Sequence, residues 1–77
     1  MIILTRYIDP TCYRPARIAA VTDGGSLKTI YDPAQSEADN HHRAARLLRI
    51  MLNQSGDLIQ STMPKGEDYQ FAFILHP

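Results

Sequence analysis

The sequence predicts an α+β fold in which a small antiparallel sheet packs against one amphipathic helix, in the order βββαββ. Short segments rich in β-branched and aromatic residues alternate with turn residues over the first 31 positions, and a segment with helical periodicity follows. A closing segment places aromatic residues at alternate positions. Because the helix and the sheet each need to bury one side, we expect them to pack together and leave the other sheet face in water.

Three strands are predicted before the helix. The segment from Ile2 to Ile8 is β-branched and aromatic, and the turn residues at 9–11 end it. The second and third strands are predicted at 17–22 and 27–31. Between them, Asp23-Gly24-Gly25-Ser26 predicts a two-residue hairpin, because glycine accepts the positive φ that primed turns need.

The helix is predicted from about residue 37 to residue 54. Asp32-Pro33 ends the preceding strand, and Ser36 is the predicted N-cap, with Asp39 three residues later in a relative of the capping box. Gly56 is the predicted C-terminal stop.

At about 100° per residue, the predicted helix has two chemically different faces. The residues expected to pack on the sheet are Ala44, Leu47, Leu48, Met51 and Leu52, with Ala45 at the edge. The residues on the opposite face are His42, Arg43, Arg46, Arg49 and Asn53. We therefore expect one face to be buried and the other to meet water or a partner.

Two further strands are predicted after the helix. The first is a short strand at 58–62, and a turn at 64–68 follows it. The last strand alternates Tyr69, Phe71, Phe73 and Leu75 with smaller or polar residues. We expect its aromatic face to lie on the apolar stripe of the helix.

Length and charge limit the classes of function. The 77 residues form one predicted domain, 1–77, and a chain of this size buries only about 60–65% of its unfolded surface, which favours a small binding module over an enzyme with an enclosed site. Eight Lys and Arg balance eight Asp and Glu, so the net charge supports neither a polyanion-binding protein nor an acidic nucleic-acid mimic. Any electrostatic function must depend on local clustering.

The expected location is the cytoplasm of a host cell. Cys12 is the only cysteine, so no intrachain disulfide can form. The apolar run at 1–4 is too short for a signal peptide or a membrane span, so we expect no membrane association.

No catalytic residue, cofactor or metal is predicted. His41 and His42 are adjacent, and neighbouring helical residues point about 100° apart, so the pair is poorly placed to hold one ion with the distant His76. Cys12 lacks the surrounding motifs of a nucleophile. The glycine pair at 24–25 joins two strands, whereas a phosphate-binding loop leads into a helix.

The predicted partner-binding surface lies on the polar side of the helix. Its residues are Arg43, Arg46, Arg49, Ile50 and His42. Arginines spaced by three present planar donors that bind carboxylates or phosphates, and an isoleucine among them is typical of a protein contact. The competing interpretation is a solvated face with salt bridges to nearby acids, and the sequence leaves the two open.

A second candidate surface combines aromatic and basic residues near the first strands. Its residues are Arg6, Tyr7, Tyr13, Arg14 and Arg17. Such residues can stack bases and follow a phosphate backbone, although the segments typical of RNA-recognition domains are absent from the sequence. A homodimer that pairs through sheet edges or open faces is a third alternative.

Residues over nearly the whole chain resemble a group of short proteins found in phage, plasmid and other mobile-element contexts of bacteria. The matching positions are Thr5-Arg6-Tyr7, Asp9-Pro10-Thr11, Arg14, Ala16-Arg17-Ile18, Ala20, Tyr31-Asp32, Asn40-His41, Arg43-Ala44-Ala45 and the closing Tyr69-x-Phe71-x-Phe73. Pro15 stands where the group has glycine, and the stretch 53–65 does not match closely.

The resemblance implies a context for function. Small mobile-element proteins without catalytic motifs resemble anti-CRISPR proteins, which commonly bind a host nuclease or surveillance complex and block its access to DNA. We therefore expect a non-enzymatic inhibitor that binds a host CRISPR–Cas protein complex, for example through a Cas subunit. The alternative function is a small module that binds single-stranded nucleic acid.

Overall fold

A computed structural model describes residues 2–61 and 69–76. It confirms the predicted α+β fold, because the described residues form a five-stranded antiparallel sheet with one helix across it. The elements are β1 (Ile2–Ile8), β2 (Arg17–Thr22), β3 (Gly25–Ile30), α1 (Glu37–Met51), β4 (Asp57–Ser61) and β5 (Phe71–His76). The strands lie side by side in the order β3-β2-β1-β5-β4, so β3 and β4 form the edges.

The hairpin between β2 and β3 lies where the two glycines predict it, but neither loop residue has the positive φ on which the prediction rested. Thr22 pairs with Gly25, which leaves Asp23 and Gly24 as a two-residue loop. The third strand therefore begins two residues earlier than predicted. It also ends one residue earlier, at Ile30.

The start of the helix is as predicted. The Ser36 side chain accepts a hydrogen bond from the backbone N–H of Asp39 at 3.1 Å, which satisfies one of the unpaired donors of the first turn. Glu37 and Asp39 lie in that turn, where negative charge complements the helix dipole.

The end of the helix differs from the prediction. Asn53 adopts a left-handed conformation with φ of 57°, and its N–H donates to the carbonyl of Ile50. The N–H of Gln54 donates to the carbonyl of Arg49, which completes a Schellman motif. The helix thus stops at Met51 because asparagine tolerates the left-handed conformation, and Gly56 lies beyond this stop.

The last two strands follow the helix at nearly the predicted positions. β4 starts one residue earlier than predicted, at Asp57, and pairs with β5. β5 in turn pairs with β1, so the final strand lies between the first and the fourth. The predicted turn at 64–68 lies outside the described residues.

The core lies between one sheet face and the helix. Its fully buried apolar residues are Ile3, Ile18, Ala20, Ala44, Ala45, Leu48 and Phe73. Phe71 packs against this cluster, which confirms the prediction that Phe71 and Phe73 face the helix. The same prediction is wrong for Tyr69, which precedes β5 and lines a hollow with Arg6 and Lys28 on the other face of the sheet. The ring of Phe71 lies 4.3 Å from that of His41, and the ring of Phe73 lies 5.4 Å from that of His42.

The buried face of the helix is rotated from the predicted one, although Ala44, Ala45 and Leu48 are buried as expected. Asn40 and His41 are completely buried, whereas Leu47 and Met51, which we expected in the core, are 40% and 53% exposed. The buried arc is rotated toward the two polar residues because both have hydrogen-bond partners inside the fold. The prediction for Leu47 and Met51 is therefore wrong.

Asn40 connects the helix to the loop that precedes it. Its side-chain carbonyl accepts from the N–H of Asp32 at 2.7 Å. Its amide nitrogen donates to the carbonyls of Asp32 and Ser36, both at 2.9 Å. One side chain thereby satisfies backbone groups at both ends of the loop.

The sheet face away from the helix is called here the open face. Side chains alternate along a strand, and Ile3, Ile18 and Ala20 point toward the helix. Arg6, Ala19 and their same-face neighbours therefore point away from it.

Within the described residues, no helix is long and apolar enough to span a membrane.

Candidate functional site

The three helix arginines do not form one continuous surface. Arg43 donates from Nη2 to the carbonyl of Ile30 at the end of β3, and its Nε is buried without a partner among the described residues. The Arg43 side chain therefore connects the helix to the sheet edge. One nitrogen of its guanidinium is therefore already hydrogen-bonded within the fold.

Arg49 also makes a structural contact. Its Nη1 donates to the carbonyl of Gln54 at 3.2 Å, in the segment that follows the helix. A cation at this position complements both an unpaired carbonyl and the negative end of the helix dipole. The Arg49 guanidinium therefore helps to stabilise the end of the helix.

A cleft between the helix and β4 brings together three of the five predicted contact residues. His42, Arg46 and Arg49 line one wall of a space of about 330 Å³, and the other wall is the segment 56–58. The His42 ring rests against Phe73, so it is half-buried at the base of the helix surface. Arg46 is exposed, and its side chain makes no hydrogen bond to the part of the chain that the structure describes.

An exposed apolar surface on the helix is the feature that the sequence analysis missed. Ile50 is 59% exposed, and Leu47 and Met51 lie three residues before it and one after it. We call these three residues the outer helix strip. The strip could not be read from the helical pattern alone, because two of its members belong to the apolar arc that the pattern assigns to the core.

The second predicted surface is divided among three places. Tyr7 lies on the helix side of the sheet, edge-on to Tyr31 with ring centroids 5.3 Å apart. Arg6 and Arg17 belong to the open face. These residues therefore do not share one face.

Tyr13 and Arg14 occupy the third place, a turn beyond the end of β1. The hydroxyl of Thr11 accepts from the N–H groups of both residues, which holds the turn together. Tyr13 is 92% exposed, and Cys12 beside it is also exposed. The turn presents these side chains to solvent.

His41 is a buried histidine with one hydrogen bond. Its Nδ1 lies 2.7 Å from the hydroxyl of Thr5, and its Nε2 is buried without a partner among the described residues. Burial lowers the pKa of His41 below its ordinary value, and the smaller effect of Glu37 acts in the opposite direction. Within residues 2–61 and 69–76, no group of three or more potential ligand side chains could hold a metal ion.

The free energy of unfolding is expected to decrease as the pH falls below 6.5, the ordinary pKa of histidine. The unfolded chain takes up a proton on His41 over a pH range where the folded chain does not, so acid favours unfolding. His41→Gln removes this titration and should flatten the pH profile of urea unfolding between about pH 5 and 7. Gln60→Ala, which changes an exposed side chain that does not titrate, is the control and should retain the slope. A His41→Gln profile as steep as that of the wild type would show that another group titrates.

Comparison with known proteins identifies no relative of this chain. The chain matches no family model, no curated protein and no solved structure.

Proposed function

We propose that this protein acts by binding another protein through the outer surface of α1. The observation that supports this most directly is the outer helix strip, whose three large apolar side chains are 40–59% exposed on a regular helix. Residues at spacings of three and four are neighbours on a helix surface, so Leu47 contacts the same region as Ile50 and Met51. Apolar groups gathered in this way on a small protein are typical of a surface that a partner covers.

Charge at the edge of the strip favours a protein partner with acidic groups. Arg46 precedes Ile50 by four residues and is exposed, so the two side chains are neighbours on the helix surface. Arginine next to an apolar anchor is enriched among the residues that contribute most to binding. We therefore assign Arg46 and Ile50 the central positions in the proposed contact.

The proposed partner is a host CRISPR–Cas complex, which the protein would inhibit by occupying a surface that the complex needs. This part of the proposal depends on the resemblance to short mobile-element proteins. The function assigned is binding, with no chemical step on this chain. The helix surface and the identity of the partner can be tested separately.

The contact surface is tested with Ile50→Glu and Arg46→Glu, singly and together. Each residue at the centre of an interface contributes about 2 kcal/mol or more, which is roughly a 30-fold loss of affinity per substitution. Ile59→Glu is the matched control for Ile50, because Ile59 is 50% exposed on the opposite side of the fold. Arg14→Glu, in the exposed turn, is the control for Arg46.

Arg43 and Arg49 should not be substituted in this test. Both donate to backbone carbonyls, so their replacement by glutamate would disturb the loop before the helix and the helix end. A loss of binding in such variants would not distinguish a lost contact from a damaged fold. Circular dichroism of the Ile50 and Arg46 variants should match that of the wild type.

The measurement begins with tagged protein added to nuclease-treated lysate that contains active CRISPR–Cas complexes. Mass spectrometry should identify a Cas subunit at a stoichiometric ratio, and the purified protein should inhibit DNA cleavage by that complex. Absence of binding to any such complex would reject the proposed partner. Sedimentation that shows a wild-type dimer and an Ile50→Glu monomer would instead assign the outer helix strip to self-association.

A further inference from the structure

Three cations meet on the open face, on the opposite side of the sheet from the helix. Arg6 of β1 pairs with Ala19 of β2, and Ala19 pairs with Lys28 of β3. Arg17 lies two residues before Ala19 on β2, so its side chain leaves the same face. The cations therefore surround one small residue on three neighbouring strands.

Ala19 forms the floor of a hollow between these cations. Arg6, Lys28 and Tyr69 line the hollow, which has a volume of about 200 Å³. Ala19 is only 8% exposed although it belongs to the open face, because the longer side chains around it cover its methyl group. The hollow thus combines two cationic walls with one aromatic ring.

Among the described residues, no position on the open face of β1, β2 or β3 is acidic. The positions on the open face of β1, β2 and β3 are Ile2, Leu4, Arg6, Ile8, Arg17, Ala19, Val21, Ser26, Lys28 and Ile30. The whole chain is neutral, with eight acidic and eight basic residues, so the charge separation is local. A surface with this pattern attracts polyanions in spite of the zero net charge.

The spacing of the cations suits an extended phosphate backbone. Neighbouring strands lie about 4.8 Å apart, which puts the Cα atoms of Arg6 and Lys28 roughly 10 Å from each other across β2. Arg17 lies about 7 Å from Ala19 along the strand. A chain of phosphates that crosses the three strands can therefore contact all three long side chains in succession.

We propose that the open face binds single-stranded nucleic acid, with Arg6, Arg17 and Lys28 on the phosphates and Tyr69 against a base. Tyr69 is half-buried beside the two cations of the hollow, where its ring is available for stacking. Leu4 and Val21 form the adjacent row of the sheet and add an apolar surface for neighbouring bases. This site is independent of the helix surface and uses Lys28 and Tyr69, which the sequence did not connect with Arg6.

The test is fluorescence anisotropy with a labelled 15-nucleotide thymidine oligomer over a series of salt concentrations. Three phosphate contacts predict a slope of about −2 in the plot of log affinity against log salt, at roughly 0.7 per contact for a single strand. Arg6→Gln and Lys28→Gln should each reduce the slope by about 0.7. Tyr69→Leu should weaken binding by about fivefold or more through lost stacking, with little change in slope.

Arg46→Gln on the helix is the matched control and should bind the oligomer as tightly as the wild type. Thermal unfolding of each variant tests whether the substitution leaves the fold intact. The proposal fails if the wild type does not bind the oligomer at low salt, or if Arg6→Gln and Lys28→Gln leave the slope unchanged. It also fails if polyglutamate competes as well as unlabelled oligomer, because the face would then bind acidic protein. Because Ile50→Glu leaves the open face intact, its effect on a protein partner is independent of these results.

Discussion

Asn40→Ala is expected to destabilise the protein by about 3 kcal/mol. The substitution leaves the N–H of Asp32 without its side-chain acceptor and removes one of the two donors to each of the carbonyls of Asp32 and Ser36. The Asn40 side chain that supplies these bonds is completely buried. Buried polar groups that lose their partners each cost free energy, because water cannot replace the lost bonds without entering the core.

The size of this effect matters because the chain is small. A domain of 77 residues has a total stability of roughly 4–12 kcal/mol, so the loss at Asn40 removes a large fraction of it. Urea unfolding followed by circular dichroism measures the change. The exposed Gln60→Ala on β4 is the control and should stay within about 0.5 kcal/mol of the wild type. A loss below about 1 kcal/mol for Asn40→Ala would mean that water enters the site and restores the bonds.

Phe73→Ala is expected to destabilise the protein by about 3–5 kcal/mol. Phe73 is 1% exposed, pairs with Ile3 of β1 and stacks beside Phe71 and His42. Its removal leaves a cavity at the junction between the sheet and the helix, and the surrounding rings lose their contacts.

Two comparisons make the prediction for Phe73 specific. Phe73→Leu retains most of the volume and should cost less than half as much, about 1–1.5 kcal/mol. Ile59→Ala removes apolar atoms from a half-exposed position and should cost about 1 kcal/mol or less. Equal losses for Phe73→Ala and Ile59→Ala in urea unfolding would show that the region around Phe73 repacks to fill the space.

The two proposed surfaces lie on opposite sides of the molecule. The outer helix strip lies on the exposed surface of α1 and Arg46 lines the cleft between α1 and β4, whereas Arg6 and Lys28 lie on the open face. A bound nucleic acid therefore does not cover the proposed protein contact. Variants of one surface serve as controls for the other, which allows each binding activity to be assigned to its own residues.

The order of the elements and their turns could be predicted from the sequence because these features depend on near neighbours. Ser36 forms its cap with Asp39, three residues away, and Asp23-Gly24 closes a hairpin between adjacent strands. Alternation along β5 also indicated that its aromatic residues share the face that contacts the helix. Each of these signals lies within one turn or one strand.

The two proposed surfaces depend on contacts between distant parts of the chain. His41 is buried because its partner is Thr5, which is 36 residues away, and this rotates Leu47 and Met51 out of the core. Lys28 joins Arg6 only through the registers of two strand pairs. Local sequence patterns show how apolar and polar residues repeat along the chain, but they do not show which distant residues a side chain contacts. The sequence alone therefore determined the α+β fold and the amphipathic helix, whereas the tertiary structure decided which residues of the helix and sheet remain exposed for binding.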